Sequence, residues 1–368
     1  FAPSGAERWT ACHGSWHLSQ GIDTGKSSSY AQEGTECHEA AAAILLGASW
    51  DEATKGLSDE QMDIVEEYTE YVFGLIDKLS ERYDDKLKVW IEERVYSDLS
   101  DDYHGTADAA LFAGRTMEIT DLKAGYLPVH PRYEDGKLNK QLGSYAILVL
   151  DTHDLWEKVD KVRMTIIQPR VHDGPLTITA TIDEMWEFKK EIKGHITAIV
   201  KGDTTLAAGK HCKFCPVKGR CPELHKEAVK RAKIVFDDPK PLRLYTPEEL
   251  IDILNEAETI LQHVEGVRQH VRRELEKGRL KGMGWKLVPK RAVSKWTDPE
   301  AVLKLCEGFP FDSIYNLRMK SPKAIAKLLG VPVTDLAKLY VKESSGTTLA
   351  PDSDKRDEVD YDPFADEG

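Results

Sequence analysis

Two aspartates and a lysine lie in neighbouring runs of the chain that are rich in strand-forming residues. Asp108 lies in HGTADAALF, and Asp121 and Lys123 lie in MEITDLKAG. Because side chains two residues apart in a strand point to the same face, Asp121 and Lys123 are predicted to project together, with Leu122 turned into the core. Mg²⁺ and Mn²⁺ prefer carboxylate, carbonyl and water ligands, and a nearby ammonium group can orient a metal-bound water or steady a phosphate oxygen. The pattern indicates hydrolysis of phosphodiesters.

Four short motifs follow one another along the chain, namely EGTECHEA, the Asp108 motif, Asp121-Leu122-Lys123 and QLGSY. Each motif is common by chance, whereas their ordered combination is specific. It resembles the PD-(D/E)XK nucleases of the RecB type, in particular phage RecB-like exonucleases and CRISPR-associated iron–sulfur exonucleases. The first motif reads Ala107-Asp108 and lacks the proline of the family name, which RecB-type members often lack as well.

The resemblance implies a role for each matching residue. The metal ligands that it implies for one or two Mg²⁺ or Mn²⁺ ions are His38, Asp108, Asp121 and the backbone carbonyl of Leu122. Lys123 is expected to orient the attacking water and steady the phosphate, while Gln141 and Tyr145 position the scissile strand. Glu93 on the preceding strand and Gln168 at the end of the last core strand are further candidates. For Glu93, a hydrogen bond near the metal and a plain solvent-facing position both stay open.

Three cysteines lie close together in KHCKFCPVKGRCPE, at positions 212, 215 and 221. Because the prolines and Gly219 favour turns over helix, Cys212, Cys215 and Cys221 can converge on one soft metal centre. A fourth ligand has to come from elsewhere in the chain. The candidates are Cys12, Cys37 and Cys306.

The resemblance selects Cys12 as the fourth ligand. In the iron–sulfur members of that family, one early cysteine and three late ones hold a [4Fe-4S] cluster that fastens the chain ends together. We interpret Cys37 and Cys306 as packing residues. The spacing alone also permits a structural Zn²⁺ site, and that alternative stays open. A disulfide framework is not expected, because six cysteines in 368 residues are sparse.

Length and composition are typical of a soluble enzyme with more than one structural unit. The chain has 368 residues, of which 41% are hydrophobic, so that it can bury a sizeable core. No apolar run approaches the roughly 20 residues of a membrane span. The first residues, FAPSGAERW, lack the basic-then-apolar layout of a secretory signal. We expect a cytoplasmic protein without a membrane partner, acting in the host cytoplasm if it is phage-encoded.

The net charge of −13 is unevenly distributed along the chain. Residues 352–368 contain eight acidic and two basic residues, a net charge of −6 in the tail alone. Basic residues form a first group at Lys210, Lys213, Lys218, Arg220, Lys226, Lys230, Arg231 and Lys233. A second group comprises Arg268, Arg272, Arg273, Lys277, Arg279, Lys281, Lys286, Lys290 and Arg291. We expect both groups to contact the backbone of single- or double-stranded DNA ends, with little sequence preference.

Hydrophobic periodicity predicts a mixed α/β fold. Helices are expected at 28–47 and within 57–83, followed by three short strands, KVWIEERVYS, TADAALFAG and TMEITDLKAG, joined by turns. Gly114-Arg115 suits a two-residue hairpin loop, which pairs the strands of Asp108 and Asp121. A helix bearing Gln141 and then a strand, KVRMTIIQPRV, come next. This order predicts a mixed central sheet flanked by helices, and the resemblance implies a restriction-endonuclease-like core.

The predicted division of the chain has three parts. Residues 1–235 form the nuclease core closed by the four cysteines, 243–343 a mainly helical accessory region, and 344–368 an acidic tail expected to be disordered. The predicted function is a metal-dependent DNA exonuclease in phage recombination or DNA processing. Its expected protein partner is a recombination or single-strand-annealing protein. A catalytically inactive DNA-binding scaffold with a structural metal cluster is the main alternative, and a restriction-type endonuclease is another.

Overall fold

A single five-stranded sheet forms the centre of the protein. The computed structural model describes residues 1–22, 29–83, 86–236, 245–280, 283–287 and Pro332. The strands are β1 (Lys88–Tyr96), β2 (His104–Ala113), β3 (Thr116–Leu122), β4 (Lys161–Ile167) and β5 (Leu176–Thr181), and they lie in sequence order across the sheet. Neighbouring strands are antiparallel except for the parallel pair of β3 and β4. The mixed sheet predicted from the sequence is confirmed.

Helices cover both faces of this sheet. They are α1 (Ala6–Ala11), α2 (His13–Ser19), α3 (Ser29–Leu45), α4 (Trp50–Ala53), α5 (Asp59–Tyr83), α6 (Lys140–Thr152), α7 (Ile182–Val200), α8 (Pro222–Phe236) and α9 (Pro247–Glu276). One core cluster packs α1, α6 and α7 on the sheet, with Leu142, Ile147 and Ile192 fully buried. Another packs α3 and α5 on the opposite face, around Val65 and Leu122. Burial of these side chains is the main force that fixes the layers.

Local signals set the ends of several helices. The Ser58 and Gln61 side chains form the predicted capping box before α5, each accepting a hydrogen bond from the other's backbone NH. Asn139 caps α6 by accepting from the backbone NH groups of Gln141 and Leu142. This cap fixes where α6 begins, and therefore which of its residues reach the end of the sheet.

The hairpin between β2 and β3 turns at Gly114, as predicted. Gly114 has a φ of 59°, in the left-handed region that favours glycine. A Cβ atom there would also lie 2.6 Å from Cε1 of Tyr83 at the end of α5. Both the backbone conformation and the contact with Tyr83 therefore disfavour any residue larger than glycine at this position. It sets the register that pairs Ala109 with Thr120 in the two strands.

Five elements were not predicted from the sequence, namely the short helices α1, α2 and α4, the edge strand β5 and helix α8. Among them, β5 has only six residues, and α8 follows the last cysteine directly. The proposed division of the chain stays a prediction. Helix α9 falls in the predicted accessory region, whereas 288–331, 333–343 and the tail lie outside the described residues, as does Cys306. No helix in the described part of the chain combines the length and apolarity of a membrane span.

Candidate active site and cysteine cluster

Three acidic residues lie in one row across three neighbouring strands. In the β2–β3 ladder Ala109 pairs with Thr120, so the next position sets Asp108 opposite Asp121. In the β1–β2 ladder Ile91 pairs with Ala109 and Glu93 with Ala107, which sets Glu92 opposite Asp108. The row lies at the end of the β2–β3 hairpin away from Gly114. The predicted proximity of the strands that carry Asp108 and Asp121 is confirmed.

Three of the side chains at this end of the sheet come close enough to share one cation. One ligand atom each of His38, Glu92 and Asp108 lies within 4.8 Å of the other two, and no other such set of three occurs among the described residues. His38 projects from α3 and brings Nδ1 to 3.3 Å from Oδ1 of Asp108. Two carboxylates and an imidazole are a donor set that suits Mn²⁺ or Mg²⁺. The residues present therefore fit a divalent metal ion.

The Asp108 carboxylate is held from two sides. Its Oδ2 accepts a hydrogen bond of 2.8 Å from the backbone NH of Leu122, while Oδ1 faces His38. Leu122 itself is fully buried on the opposite face of the sheet, as the alternation along β3 predicted. Because the carboxylate is fixed by the neighbouring strand, its position does not depend on a bound ligand.

Asp121 and Lys123 form a buried ion pair beside this group. Nζ of Lys123 lies 2.6 Å from Oδ2 of Asp121, whose side chain is almost completely buried. Burial raises the pKa of Asp121, and the Lys123 ammonium opposes that rise. The prediction that the two side chains project together is thus confirmed. Asp121 is not among the three clustered ligand atoms, and its role as a metal ligand stays a prediction.

The backbone around Lys123 is fixed by its neighbours in space. The Lys123 NH donates to the carbonyl oxygen of Ile167 at 2.8 Å, which extends the β3–β4 ladder by one residue. The next carbonyl, that of Ala124, accepts a 2.7 Å hydrogen bond from Arg170. Arg170 is anchored in turn by the carboxylates of Glu33 and Glu60. The strand that carries the lysine is therefore tied to α3 and α5.

Glu92 was missed by the sequence analysis, which chose its neighbour. The backbone of Glu92 has a φ of 47°, an uncommon conformation for a residue other than glycine. Burial and, next, the charge of Asp108 raise the pKa of Glu92 to about 7. Backbone strain and a strongly raised carboxyl pKa at one residue are typical of functional sites. The acidic pair at positions 92 and 93 was the available signal, but the sequence does not say which of the two faces the aspartates.

Glu93 is not one of the three clustered ligands, and its proposed hydrogen bond near the metal stays a prediction. Its Oε2 lies 3.1 Å from Nε2 of His153, whose ring stacks on Trp90. Trp90 and Glu93 both contact His153 although they are three residues apart, so the regular alternation of the strand is interrupted at Glu92. The solvent-facing alternative is too simple, because Glu93 has a specific partner.

Gln168 has a structural role in the described part of the chain. Its amide nitrogen donates to the carbonyl oxygens of Gly125 and Leu127, and its oxygen accepts from the NH of Val129. These three bonds hold the loop that follows Lys123. Gln168 therefore supports a loop next to the site, and it is not one of the three clustered ligands.

Helix α6 brings Gln141 and Tyr145 to the same end of the sheet. Gln141 lines the cleft that contains His38, Glu92 and Asp108. Tyr145 is largely buried, and burial together with the nearby Asp121 charge raises the pKa of its hydroxyl well above the usual range. The hydroxyl therefore stays protonated. The proposed role of both residues in positioning the scissile strand stays a prediction.

The cleft above these residues is large and open, with a volume of about 990 Å³. Its charged end is formed by His38, Glu92, Asp108 and Lys123. Burial opposes protonation of His38, but the hydrogen bond to Asp108 and the charges of Asp108 and Asp121 outweigh it, and its pKa is raised. The volume lies at the upper end of the range for ligand pockets, so the cleft admits more than a phosphate group.

Four cysteines surround a second, small cavity. Cys12, at the junction of α1 and α2, meets Cys212, Cys215 and Cys221 from the segment 210–221, here called the cysteine loop. All four are buried, and none is in a disulfide. The NH of Ala207 donates to Sγ of Cys12 at 3.4 Å. The structure thus brings together the four cysteines that the resemblance selected.

Further contacts fasten the N-terminal helices to the chain before the cysteine loop. The NH of Gly14 donates to the Thr205 carbonyl at 2.8 Å, and His13 pairs with Asp203 at 2.7 Å. A Cβ atom on Gly14 would lie 2.4 Å from the carbonyl oxygen of Thr204. This close backbone approach requires glycine. The position of Cys12 beside the loop therefore does not depend on a bound metal.

His211 adds a positive charge to the cysteine cavity. Hydrogen bonds to the Cys12 and Cys212 sulfurs raise the pKa of His211 to about 10, although its burial opposes protonation. The Nε2 atom also lies 2.9 Å from the carbonyl oxygen of Ala207. A protonated imidazole at this place offsets the negative charge of thiolates.

The four buried thiols form a donor set that fits a soft metal centre. The identity of that centre, an iron–sulfur cluster or a structural zinc ion, stays a prediction.

Residues from both predicted basic groups line one cavity. It has a volume of about 210 Å³ and lies between the cysteine loop and the end of α9, lined by Arg220, His270, Arg273, Lys277 and Arg279. We call it the basic cavity. Gly219 packs directly on Gly266 of α9, since a Cβ atom on Gly219 would lie 2.2 Å from the Gly266 carbonyl oxygen. This contact holds the two walls together.

Comparison with known proteins identifies a family and two distant structural likenesses. The sequence profile of a family described as "Protein of unknown function (DUF2800)" matches residues 1–357. The fold is similar to the crystal structure of SSO0001, with 11% identity, a TM-score of 0.22, and coverage of 59% of this chain and 96% of that one. It is also similar to a "Putative exonuclease" from Eubacterium rectale, with 14% identity, a TM-score of 0.32, and coverage of 58% and 85%. Both likenesses are too distant to indicate a function.

Proposed function

We propose that this chain, which belongs to the DUF2800 family, is a divalent-metal-dependent nuclease that hydrolyses the phosphodiester bonds of DNA. The observation that carries the proposal is the group of His38, Glu92 and Asp108, whose ligand atoms lie within 4.8 Å of one another, beside the ion pair of Asp121 and Lys123. Two carboxylates, an imidazole and a lysine at the charged end of an open cleft are suited to holding a cation and a phosphate together.

His38, Glu92 and Asp108 would hold Mg²⁺ or Mn²⁺, with Asp121 and the Leu122 carbonyl as further ligands. When bound, such an ion lowers the pKa of a coordinated water and offsets charge on the phosphate. Asp121 holds the Lys123 ammonium group through an ion pair of 2.6 Å. From there, Lys123 orients the attacking water and stabilises the negative charge that develops on the phosphate oxygens.

Gln141 and Tyr145 act on the position of the substrate. Gln141 lines the cleft and offers an amide that can donate to a phosphate oxygen. Tyr145 stays protonated beside Asp121, so its hydroxyl is a donor and not a competing base. None of these groups recognises a base edge. Binding through phosphates predicts little sequence preference and a strong dependence on salt.

The four cysteines would hold an iron–sulfur cluster of the [4Fe-4S] type. Support comes from the four buried thiols around one cavity and the positive charge of His211. Such a cluster supplies covalent cross-links between Cys12 and the cysteine loop. In this account it stabilises the fold and does not take part in hydrolysis. A structural Zn²⁺ ion is the alternative.

DNA is the proposed macromolecular partner, and the basic cavity supports it. Arg220, His270, Arg273 and Lys277 line one concave site in a chain whose net charge is −13. Glu274 also lines the cavity, where it is ion-paired with Arg279, so that Arg220, Arg273 and Lys277 leave an excess of positive charge. Phosphate is the anion that DNA presents at every nucleotide. The proposal of exonuclease action on DNA ends, and of a recombination or single-strand-annealing partner, rests on the family resemblance of the motifs.

The test is the hydrolysis of end-labelled linear DNA by the purified full-length protein with Mn²⁺, Mg²⁺ or EDTA. We expect metal-dependent loss of linear DNA, and at least a hundred-fold slower reaction for Lys123→Ala. Lys137→Ala is the matched control, because Lys137 is also ion-paired with an aspartate but does not line the cleft. It should retain full activity. Equal activity of Lys123→Ala and the wild type would remove the catalytic proposal.

Closed circular DNA distinguishes the two modes of cleavage. An exonuclease leaves covalently closed circles intact and degrades them once they are nicked or linearised. If closed circles are cleaved as fast as linear DNA, the protein is an endonuclease and not an exonuclease. Binding of DNA without any hydrolysis in either metal would favour the inactive scaffold.

A further inference from the structure

Phe214 is a large apolar residue on the wall of the candidate active-site cleft. It lines the cleft together with Asp108, Lys123 and Gln141, although it belongs to the cysteine loop. About 76% of its surface is exposed. A phenylalanine this exposed does not gain the favourable free energy of burial, so packing does not explain its presence here. Its position on the wall of the cleft suggests contact with a ligand instead.

The backbone that carries Phe214 is constrained by the cysteines on either side. Phe214 ends the short turn Lys210–Phe214, and the buried Cys212 and Cys215 flank it. The NH of Cys215 donates to the Cys212 carbonyl at 3.1 Å, and the NH of Cys212 donates to that of Gly209 at 2.9 Å. The ring is therefore presented by a constrained backbone. A preorganised backbone loses less entropy when a ligand binds than a mobile one does.

The cleft thus combines two different chemistries. One end carries the acidic and basic groups that suit a phosphodiester, and the wall carries an aromatic face without any hydrogen-bonding group. A nucleotide has the same two parts, a charged phosphate and a flat heterocycle. Stacking of a base on an aromatic side chain tolerates any sequence, because every base has a π-face.

We propose that Phe214 is a substrate-positioning residue that stacks on an unpaired base next to the scissile phosphate. The proposal rests on the proposed nuclease function and adds a substrate class, single-stranded DNA or the frayed end of a duplex. Bases inside a duplex already stack on both faces, so Phe214 can stack only on an unpaired base or on a base at the end of a duplex. The cysteine cluster and the active-site cleft are linked in this way, because the cysteine loop sets the position of the Phe214 backbone.

The test measures DNA binding without cleavage, in Ca²⁺, with short single strands that carry a fluorescent label. Phe214→Ala is expected to weaken binding about 5- to 100-fold, and Phe214→Trp to restore it. Phe236→Ala is the matched control, because Phe236 is 69% exposed on α8 and does not line the cleft. Binding by this control should not change. Unaltered metal content of Phe214→Ala shows that the cysteine loop is intact.

A set of strands with one abasic nucleotide at successive positions from each end locates the base. At one position, the abasic change should weaken binding of the wild type as much as Phe214→Ala does, and Phe214→Ala should cause no further loss. Equal binding by Phe214→Ala and the wild type, or additive losses at every position, would overturn the stacking proposal. Because binding is measured without hydrolysis, this outcome is separate from failure of the nuclease proposal, which is judged by cleavage in Mn²⁺.

Discussion

Glu92 lies directly across the β1–β2 ladder from Asp108, and a carboxylate oxygen of each lies within 4.8 Å of the other and of the His38 ring. Two acids held this close repel each other when both are ionised, and Glu92 responds with a pKa raised to about 7 by burial and by Asp108. A divalent cation between them removes that repulsion. The pair is therefore the part of the site that most clearly favours a metal.

The first prediction concerns the pH dependence of metal binding. Glu92 has to lose its proton to bind a cation, so Mn²⁺ affinity should rise as pH increases through about 7. His38, whose pKa is also raised, contributes in the same direction. Calorimetric titration between about pH 5.5 and 8.5 measures the affinity and the protons released.

Glu92→Gln should bind Mn²⁺ at least ten-fold more weakly and release about one proton fewer near pH 7. Glu93→Gln is the matched control, since it makes the same change at the adjacent residue, which pairs with His153. This control should bind like the wild type. Identical proton release by the wild type and Glu92→Gln would show that Glu92 is not a ligand.

A second prediction concerns the backbone strain at Glu92. Its φ of 47° costs an alanine about 1 kcal/mol relative to glycine. In the metal-free protein, Glu92→Gly should therefore be more stable than Glu92→Ala by about that amount, and both should lack activity. Urea unfolding of the two variants gives the difference. Equal stability, or a more stable alanine variant, would mean that the left-handed conformation is absent in solution.

A third prediction concerns the cysteine cavity. Cys12→Ser and Cys221→Ser should lose iron and the broad visible absorbance of an iron–sulfur cluster, and both should melt at a lower temperature, because the cross-links between Cys12 and the cysteine loop are gone. Cys37→Ala is the control, since Cys37 is buried in the core between α3 and the sheet. It should keep the metal. A colourless wild type with stoichiometric zinc would exclude the cluster.

A fourth prediction concerns the basic cavity. Arg220→Ala should weaken binding to DNA of any sequence and should lower the slope of log affinity against log salt by about 0.7 to 1. Arg115→Ala is the control, an exposed arginine that pairs with Asp160 and does not line the cavity. Anisotropy titrations at several salt concentrations measure both quantities. An unchanged slope for Arg220→Ala would show that Arg220 does not contact a phosphate group of the DNA.

The sequence was sufficient for the pairing of the strands that carry Asp108 and Asp121, and for the projection of Asp121 and Lys123 to the same side. Both depend on local rules, the alternation along β3 and the short hairpin at Gly114, which leave little choice of register. Glu92 could not be found in this way, because the connection between β1 and β2 is long and does not fix which of two adjacent glutamates faces Asp108. Its unusual φ is a tertiary property that no propensity predicts.

For the cysteine cluster, too, the sequence predicted one part and the structure was needed for the rest. The spacing of Cys212, Cys215 and Cys221 predicted a metal-binding loop, but the fourth cysteine came from a family resemblance, since Cys12 is about 200 residues away in the chain. The approach of Phe214 to the cleft depends on how that loop packs, and spacing alone does not indicate it.

We propose that His38, Glu92 and Asp108 together hold a catalytic divalent cation. Anomalous diffraction from crystals of the full-length protein soaked in Mn²⁺ is the sharpest test, because it locates the ion without assuming an activity. We expect an Mn²⁺ peak in coordination contact with all three side chains, next to Lys123, and no such peak in Asp108→Asn crystals. An ion bound elsewhere, with these three side chains left without a metal at saturating Mn²⁺, would refute the proposed metal site.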